Sequence, residues 1–395
     1  MKYDELSEFT RELISIESLS GEERNIGVFL KKRMHKFGFS ETYIDKFGTV
    51  VGIIRGALSG PTILMDGHID HVVVNNPELW SMDPFKGGIK EGRMYGRGTS
   101  DMKGALAAMI LAAKHFAENK KNLKGNIIVT GTAWEELFEG YTLGYAIEEL
   151  KTKGYAPDLV IIGEASELDL KIGQRGRAEV VVTSLGKSCH SSNPQFGINA
   201  VYNAIDIIKA IADAPRKEDA FIGKAIFELT DIISKPYPGY SVVPEECTIS
   251  YDRRLLPGER KEDVIAEVEK TLEPLKAKND KLKYMINIVK GELSDDKGRT
   301  YETDKFAPGW VFPQDAPFIK KALAGLEGIG LKPRITRYSF CTNGSMSAGI
   351  MNIPTIGFGP SAESQAHVVD EYIEIDQLEK AYEGYMAIIK EEIKE

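Results

Sequence analysis

Three apolar segments in the first half of the chain each end in acid or imidazole, and no other feature limits the fold as much. Ile63-Leu64-Met65 runs into Asp66-Gly67-His68-Ile69-Asp70-His71, Asn126–Thr130 into Gly131-Thr132-Ala133-Trp134-Glu135-Glu136, and Leu159–Ile162 into Gly163-Glu164. Helical stretches at 103–118 and 141–152 separate them. That alternation reads as a mostly parallel sheet between helices. In such a sheet the ligand crevice lies beyond the carboxyl ends of the strands, so these polar groups are gathered where a ligand binds. His68 and Asp70 are two residues apart and point the same way in an extended chain. The spacing suits a metal-binding imidazole whose tautomer a neighbouring carboxylate fixes. Asp101 follows the glycine-rich run Tyr95–Ser100 and precedes an apolar helix from Gly104, which exposes a carboxylate on a rigid turn.

With 395 residues the chain has room for two domains, each with its own core. Helices are expected near 3–16 and 21–37, the second with a capping box of Ser20 and Glu23, then strands over Thr42–Ile54 and Thr62–Met65. The pattern changes after Gly173. Arg177–Leu185 alternates like a half-buried strand, a helix covers 199–213, strands fall near Ala225–Ile233 and Cys247–Leu255, and a helix at 260–276 leads to the strand Leu282–Val289. This is a β-α-β-β-α-β, ferredoxin-like order. From Leu293 the α/β character returns, with a helix at 315–326, a strand at Arg334–Tyr338, a Gly/Ser turn at Thr342–Ser347, a strand at Pro354–Phe358, a loop carrying His367 and a helix at 376–392. The expectation is an α/β domain, 1–174 and 295–395, with an inserted α+β domain, 175–294.

Composition excludes several classes. The net charge of −9 and the lack of a Lys/Arg block argue against a nucleic-acid partner. No apolar run approaches a membrane span, and residues 1–16 read as an acidic amphipathic helix rather than a signal segment. Cys189, Cys247 and Cys341 are odd in number and far apart, which fits a reduced, cytoplasmic chain better than a disulfide framework.

Of six histidines, His35 and His115 lie within amphipathic helices, whereas His68, His71, His190 and His367 lie in turns or at strand ends. One such histidine is ordinarily structural. The joint set His68, Asp101, Glu135, Glu136, Glu164 and His367 is not. Imidazoles and carboxylates without cysteine favour zinc, cobalt or manganese over an iron–sulfur centre. Two imidazoles and three carboxylates could hold two ions about 3.5–4 Å apart, with one carboxylate bridging and the spare glutamate acting as general base. The Gly96–Gly98 pair does not match a dinucleotide fingerprint, which needs glycines between a strand and its helix at fixed spacing.

On the motifs Gly67-His68-Ile69-Asp70, Gly96-Arg97-Gly98-Thr99-Ser100-Asp101-Met102-Lys103-Gly104, Glu135-Glu136 and Gly163-Glu164, the whole chain resembles the di-zinc exopeptidase and deacylase family containing acetylornithine deacetylase, succinyl-diaminopimelate desuccinylase, aminoacylase and glutamate carboxypeptidase. The Asn343-Gly344 turn and the Gly359-Pro360 pair are most similar to its members linked to selenium metabolism. The resemblance implies a di-metal exopeptidase-like catalytic domain, 1–174 and 295–395, and a lid or dimerisation role for the insert, 175–294. It implies that His68 and Glu164 bind one metal, Glu136 and His367 the other, and that Asp101 bridges. Glu135 would be the base for an activated water, and Asp70 the partner of His68. Gly186–Pro194 matches the segment whose histidine, here His190, polarises the scissile carbonyl, in dimeric members from the partner subunit. Asp252–Gly258 matches a segment whose arginine, here Arg254, meets the substrate carboxylate; Asn343 joins it in substrate binding. The implied substrate is an N-acyl amino acid or short peptide with a free carboxylate, cleaved at its amide bond by a homodimer. A dipeptidase or aminopeptidase, or a carbamoyl or ureido amidohydrolase, is the alternative, and a non-catalytic binding protein of the same fold a remoter one. Three residues depart from the family: His71 replaces a small residue, Ser241 an asparagine, and Gln174 the arginine of desuccinylases.

Overall fold

The computed structural model describes residues 4–394. Its contacts divide the chain into two units. One runs to Gln174 and takes in Leu293–Tyr301 and the residues from Val311 onward; the other comprises Arg175–Glu292 and Glu302–Trp310.

The first unit is built on a sheet that runs Glu41–Ile44, Val50–Arg55, Lys124–Thr132, Leu58–His68, Leu159–Ile162, Thr355–Gly357, Leu170–Gln174, with Ile335–Tyr338 also pairing with Leu170–Gln174. Leu58–His68 is parallel to both neighbours, with His68 opposite Thr132 and Asp66 opposite Ile162. The three acid-loaded strands therefore end level, at one edge of the sheet. Central strands are buried on both faces, which is why they read as continuous apolar runs. Leu64, Ile128 and Val160 pack under Leu143, Ile147 and Leu150 of the helix Tyr141–Thr152. Gly67, on the alternate face, lies close to Leu106 and Met109 of the helix Gly104–Ala117. That helix is apolar nearly all round because the helices Asp4–Ile14 and Ile375–Glu392 cover its other sides.

Several expectations need correction. Thr42–Ile54 is not one strand. Asp45 Oδ1 accepts the N–H groups of Phe47 (2.8 Å) and Thr49 (3.0 Å), and this turn splits it into a hairpin. The strand Leu170–Gln174 was not foreseen, nor was a small sheet of Gly88–Lys90, Arg93–Tyr95 and Tyr372–Glu374. The second helix spans Arg24–Lys36, with Glu23 at its N-cap and no side-chain capping bond, so the Ser20–Glu23 capping box does not form. The first helix starts at Asp4 among the described residues; its expected start, Tyr3, lies outside them.

The second unit carries an antiparallel sheet in the order Ile226–Lys235, Glu246–Leu255, Gly176–Leu185, Lys283–Ile288. Helices Ala200–Asp213 and Lys261–Lys278 supply Ile207, Ile211, Val264, Val268 and Leu272 to a core with Val180, Val182, Ile249 and Tyr251. This is the ferredoxin-like arrangement. Ile226–Lys235 pairs with a neighbour on one side only, and Ile226, Leu229, Ile232 and Ile233 on it are exposed. Among the described residues no helix is long and apolar enough to cross a membrane, and none of the three cysteines is in a disulfide.

Candidate metal centre

His68 closes the central strand, almost completely buried. Its Nδ1 lies 3.0 Å from the backbone carbonyl of Asp70 and donates to it, which turns Nε2 toward the crevice. Nε2 is 2.9 Å from Asp101 Oδ1 and 3.6 Å from Glu164 Oε1. The other oxygen of the same carboxylate, Asp101 Oδ2, lies 3.1 Å from His367 Nε2, which is also 3.1 Å from Glu136 Oε2. One carboxylate thus faces two imidazoles, one through each oxygen. Ligand atoms of His68, Glu135 and Glu164 lie within 4.8 Å of one another, and so do those of His68, Asp101 and Glu136.

Electrostatics show what the cluster is suited to hold. Burial raises the Glu135, Glu136 and Glu164 carboxyls, and repulsion from neighbouring carboxylates adds to it, from Glu164 and Glu136 on Glu135 and from Asp101 on Glu136 and Glu164. Burial pulls the His68 imidazole down, but its contacts with Asp101 and Asp70 outweigh this and hold it well above its ordinary value. Hydrogen bonds to Asp101, then Glu136, hold His367 up at about 10. Four carboxylates and two imidazoles converge where buried anions need compensating positive charge. The donors are nitrogen and oxygen, which fits a divalent ion such as zinc, cobalt or manganese.

Asp70 does more than orient His68. Its carboxylate is 3.5 Å from Nδ1, beyond a normal hydrogen bond, and is instead taken up by the glutamate doublet. Oδ1 accepts the Glu135 N–H (3.1 Å), and Oδ2 accepts the Glu136 N–H (3.1 Å) and the Ser20 hydroxyl (2.7 Å). Asp101 is placed by a residue that sequence reasoning missed. Glu371, fully buried, accepts the N–H groups of Ser100 (2.8 Å) and Asp101 (3.1 Å) on Oε1 and Arg97 Nη1 (2.6 Å) on Oε2. The signal was Arg97: an arginine inside a glycine-rich turn next to a buried site needs a carboxylate partner. Gly359 comes so close to the third strand end that a Cβ would sit 2.4 Å from the carbonyl oxygens of Gly163 and Glu164.

His71 does not enter the cluster. Its Nε2 accepts the Ser18 N–H (3.0 Å) and its Nδ1 donates to the Val72 carbonyl (2.9 Å), which defines a neutral tautomer. Asn343, expected at the substrate, is 2% exposed. Its amide donates to Asp66 Oδ2 (2.8 Å) and accepts the Gly140 N–H (2.6 Å), so both ends are used inside the protein. Gln174 is likewise committed, donating to Ser345 Oγ (2.9 Å) and accepting the Thr342 hydroxyl (2.6 Å).

His190 and Arg254 belong to the second unit. His190 is exposed; its Nδ1 is held by Ser192, by the N–H at 3.1 Å and the hydroxyl at 2.8 Å. Arg254 pairs with Asp252, Nε to Oδ1 at 2.7 Å, and Arg177 Nε shares that carboxylate at 2.9 Å.

An α/β sheet whose strand ends gather this donor set defines a metal-dependent hydrolase. The chain belongs to peptidase family M20/M25/M40, whose model matches residues 64–391, and it is an enzyme acting on amide bonds. It is 32% identical over 371 residues to Uncharacterized protein YgeY of Escherichia coli (strain K12), covering 93% of this chain and 89% of that one. It is 27% identical over 395 residues to Succinyl-diaminopimelate desuccinylase of Marinobacter nauticus, covering 97% of each. The M20 family metallo-carboxypeptidase Sso-CP2 of Sulfolobus solfataricus superposes with a TM-score of 0.77 at 19% identity, over 98% of this chain and 99% of that one; this likeness concerns the fold.

Proposed function

We propose that the enzyme hydrolyses the amide bond of a small N-acyl amino acid, or of a short peptide with a free α-carboxylate. The observation that carries this reading is Asp101, with one oxygen 2.9 Å from His68 and the other 3.1 Å from His367. His68 and Glu164 would hold one divalent ion, Glu136 and His367 a second, with Asp101 shared; zinc is the first choice, cobalt or manganese the alternatives. Such ions, when bound, acidify a water and polarise a carbonyl. Glu135 takes the water proton and hands it to the leaving nitrogen, a shuttle that its burial favours by keeping the carboxyl's proton affinity high. Asp70 fixes the backbone from which Glu135 projects. His190, its Nδ1 engaged and its Nε2 available, donates to the oxygen of the scissile carbonyl as negative charge develops there. Arg254 receives the substrate carboxylate. Asp252 is shared by Arg254 and Arg177, and Arg177 also pairs with Glu179; a guanidinium is suited to a charge-assisted bond with an incoming carboxylate. Gln174 has no charge to offer a second carboxylate and is tied to the 342–345 turn, which favours a monocarboxylic acyl product over succinate.

A homodimer formed through the exposed apolar edge strand Ile226–Lys235, in the cytoplasm, completes this reading. An unpaired edge with a row of apolar side chains is a ready surface for a second copy, and three cysteines outside any disulfide suit a reducing compartment. The test of the activity is a panel of acetyl-, succinyl- and carbamoyl-amino acids against dipeptides, with the zinc- or cobalt-loaded enzyme. Acetyl-amino acids are expected to be cleaved fastest. Free-amine dipeptides turned over far faster than any N-acyl compound would overturn the N-acyl preference in favour of a dipeptidase or aminopeptidase.

A further inference from the structure

Four consecutive backbone N–H groups of the segment carrying the two glutamates are accepted by side chains from other parts of the chain. Ala133 donates to Thr49 Oγ1 (3.3 Å), Trp134 to Glu23 Oε1 (2.8 Å), and Glu135 and Glu136 to the two oxygens of Asp70 (3.1 Å each). The segment has left its strand and entered no helix, so no ladder takes these donors, and buried donors must be satisfied somewhere. Trp134 stands out among the four. Its φ of +64° is left-handed, a conformation that a bulky L-residue keeps only where its surroundings hold it.

Glu23 is the group that holds it. The residue is 3% exposed. It occupies the N-cap of the helix Arg24–Lys36, yet its side chain makes no capping bond there and turns to Trp134 instead. The same short segment also seats the indole. A Cβ on Gly21 would lie 2.8 Å from Trp134 Cη2, so the ring rests on bare glycine backbone. Burial, with Asp70 nearby, raises the Glu23 carboxyl to about 7; Oε1 has a lone pair for the Trp134 N–H in either protonation state.

We propose that Glu23 is a positioning residue for the hydrolysis: by accepting the Trp134 N–H it fixes the left-handed turn from which Glu135 and Glu136 project. The inference rests on the reading of Glu135 as base and Glu136 as metal ligand. Misplacing such groups by about an ångström costs up to ~10²-fold in rate, and losing an outer partner of a ligand costs roughly 10–100-fold in metal affinity or activity.

The test compares Glu23→Ala, Glu23→Gln and Glu23→Asp by cobalt titration of the metal-free protein and by steady-state kinetics of the loaded enzyme. Glu23→Ala is expected to weaken the cobalt equilibrium that involves Glu136 by about tenfold or more, and to lower kcat roughly ten- to a hundredfold with little change in KM. Glu23→Gln keeps an oxygen at the same reach and should restore both to within about threefold. Glu23→Asp is one methylene short and should fall with Ala; it decides the matter if Ala does not fold. The proposal is overturned if a folded Glu23→Ala, or Glu23→Asp in its place, loses only melting temperature while cobalt affinity and kcat hold. It is also overturned if Gln loses as much as Ala, for then charge and not acceptance matters. Should the wild type hydrolyse none of the N-acyl panel, the substrate reading fails, and the cobalt titrations still judge Glu23.

Discussion

His71 allows a sharp prediction about pH. Burial, followed by the charge of Lys103, lowers its imidazole from 6.5 to about 4. The folded protein therefore keeps the ring neutral over a range in which the unfolded chain protonates it, and between pH 6.5 and 4 the unfolded state binds more protons. Stability contributed by the neutral ring is fully present above pH 6.5 and is lost as the pH falls toward 4. Between pH 7 and pH 5 the loss is about 2 kcal/mol, since one unit of pKa shift is worth ~1.4 kcal/mol. Protonation also turns Nε2 from acceptor to donor, directly against the Ser18 N–H it now receives at 3.0 Å. The opening should therefore be local, in the segment from Ser18 to Glu23. The perturbation is His71→Gln, whose Oε1 can accept the same N–H and does not titrate. Hydrogen exchange of a peptide spanning that segment, for wild type and variant at both pH values, cancels the intrinsic pH dependence of exchange. Wild type should lose roughly thirtyfold more protection than the variant, the equivalent of about 2 kcal/mol. Equal losses in the two proteins would refute the reasoning.

Asp101→Asn replaces one of the two oxygens that face His68 and His367 with a donor, and metal analysis should show loss of both ions; full occupancy would defeat the bridging role. Glu135→Gln should keep its ions and lose roughly 10²–10⁴-fold in turnover, as expected for an acid–base group. If His190 acts across a dimer, exchanging subunits between Glu135→Gln and His190→Ala should restore up to about a quarter of wild-type activity, because half the dimers are mixed and each holds one complete site. No recovery from a mixture shown to exchange subunits would place His190 in its own subunit's site.

Much of the fold was legible because the central strands and helices announce themselves by period and length. Leu159–Ile162 and Tyr141–Thr152 coincide with their expected spans, and the ferredoxin-like order of the second unit follows from alternating strands and amphipathic helices. What was missed is short or locally decided. Leu170–Gln174 is buried throughout yet carries Lys171 and Gln174, so no apolar run marks it. The turn inside 41–55 depends on Asp45 bonding to the backbone within a stretch that otherwise alternates like a strand.

The site divides along the same line. Most residues that would touch a metal stand at strand ends or in a glycine-rich turn, where their chemistry is out of place, and so they can be read; His367, in a loop, is read only together with them. The residues that place them are ordinary in sequence. Ser20 and Glu23 fit a helix cap on spacing alone, but Ser20 bonds to Asp70 and Glu23 to Trp134. The helix start is a place where water can serve its N–H groups, whereas the 133–136 segment is largely buried and finds protein acceptors. Burial, which spacing cannot report, decides between these two demands on the same side chains. A serine–glutamate pair ahead of a helix therefore marks a choice of partner, and the outcome depends on which neighbouring backbone donors are cut off from water.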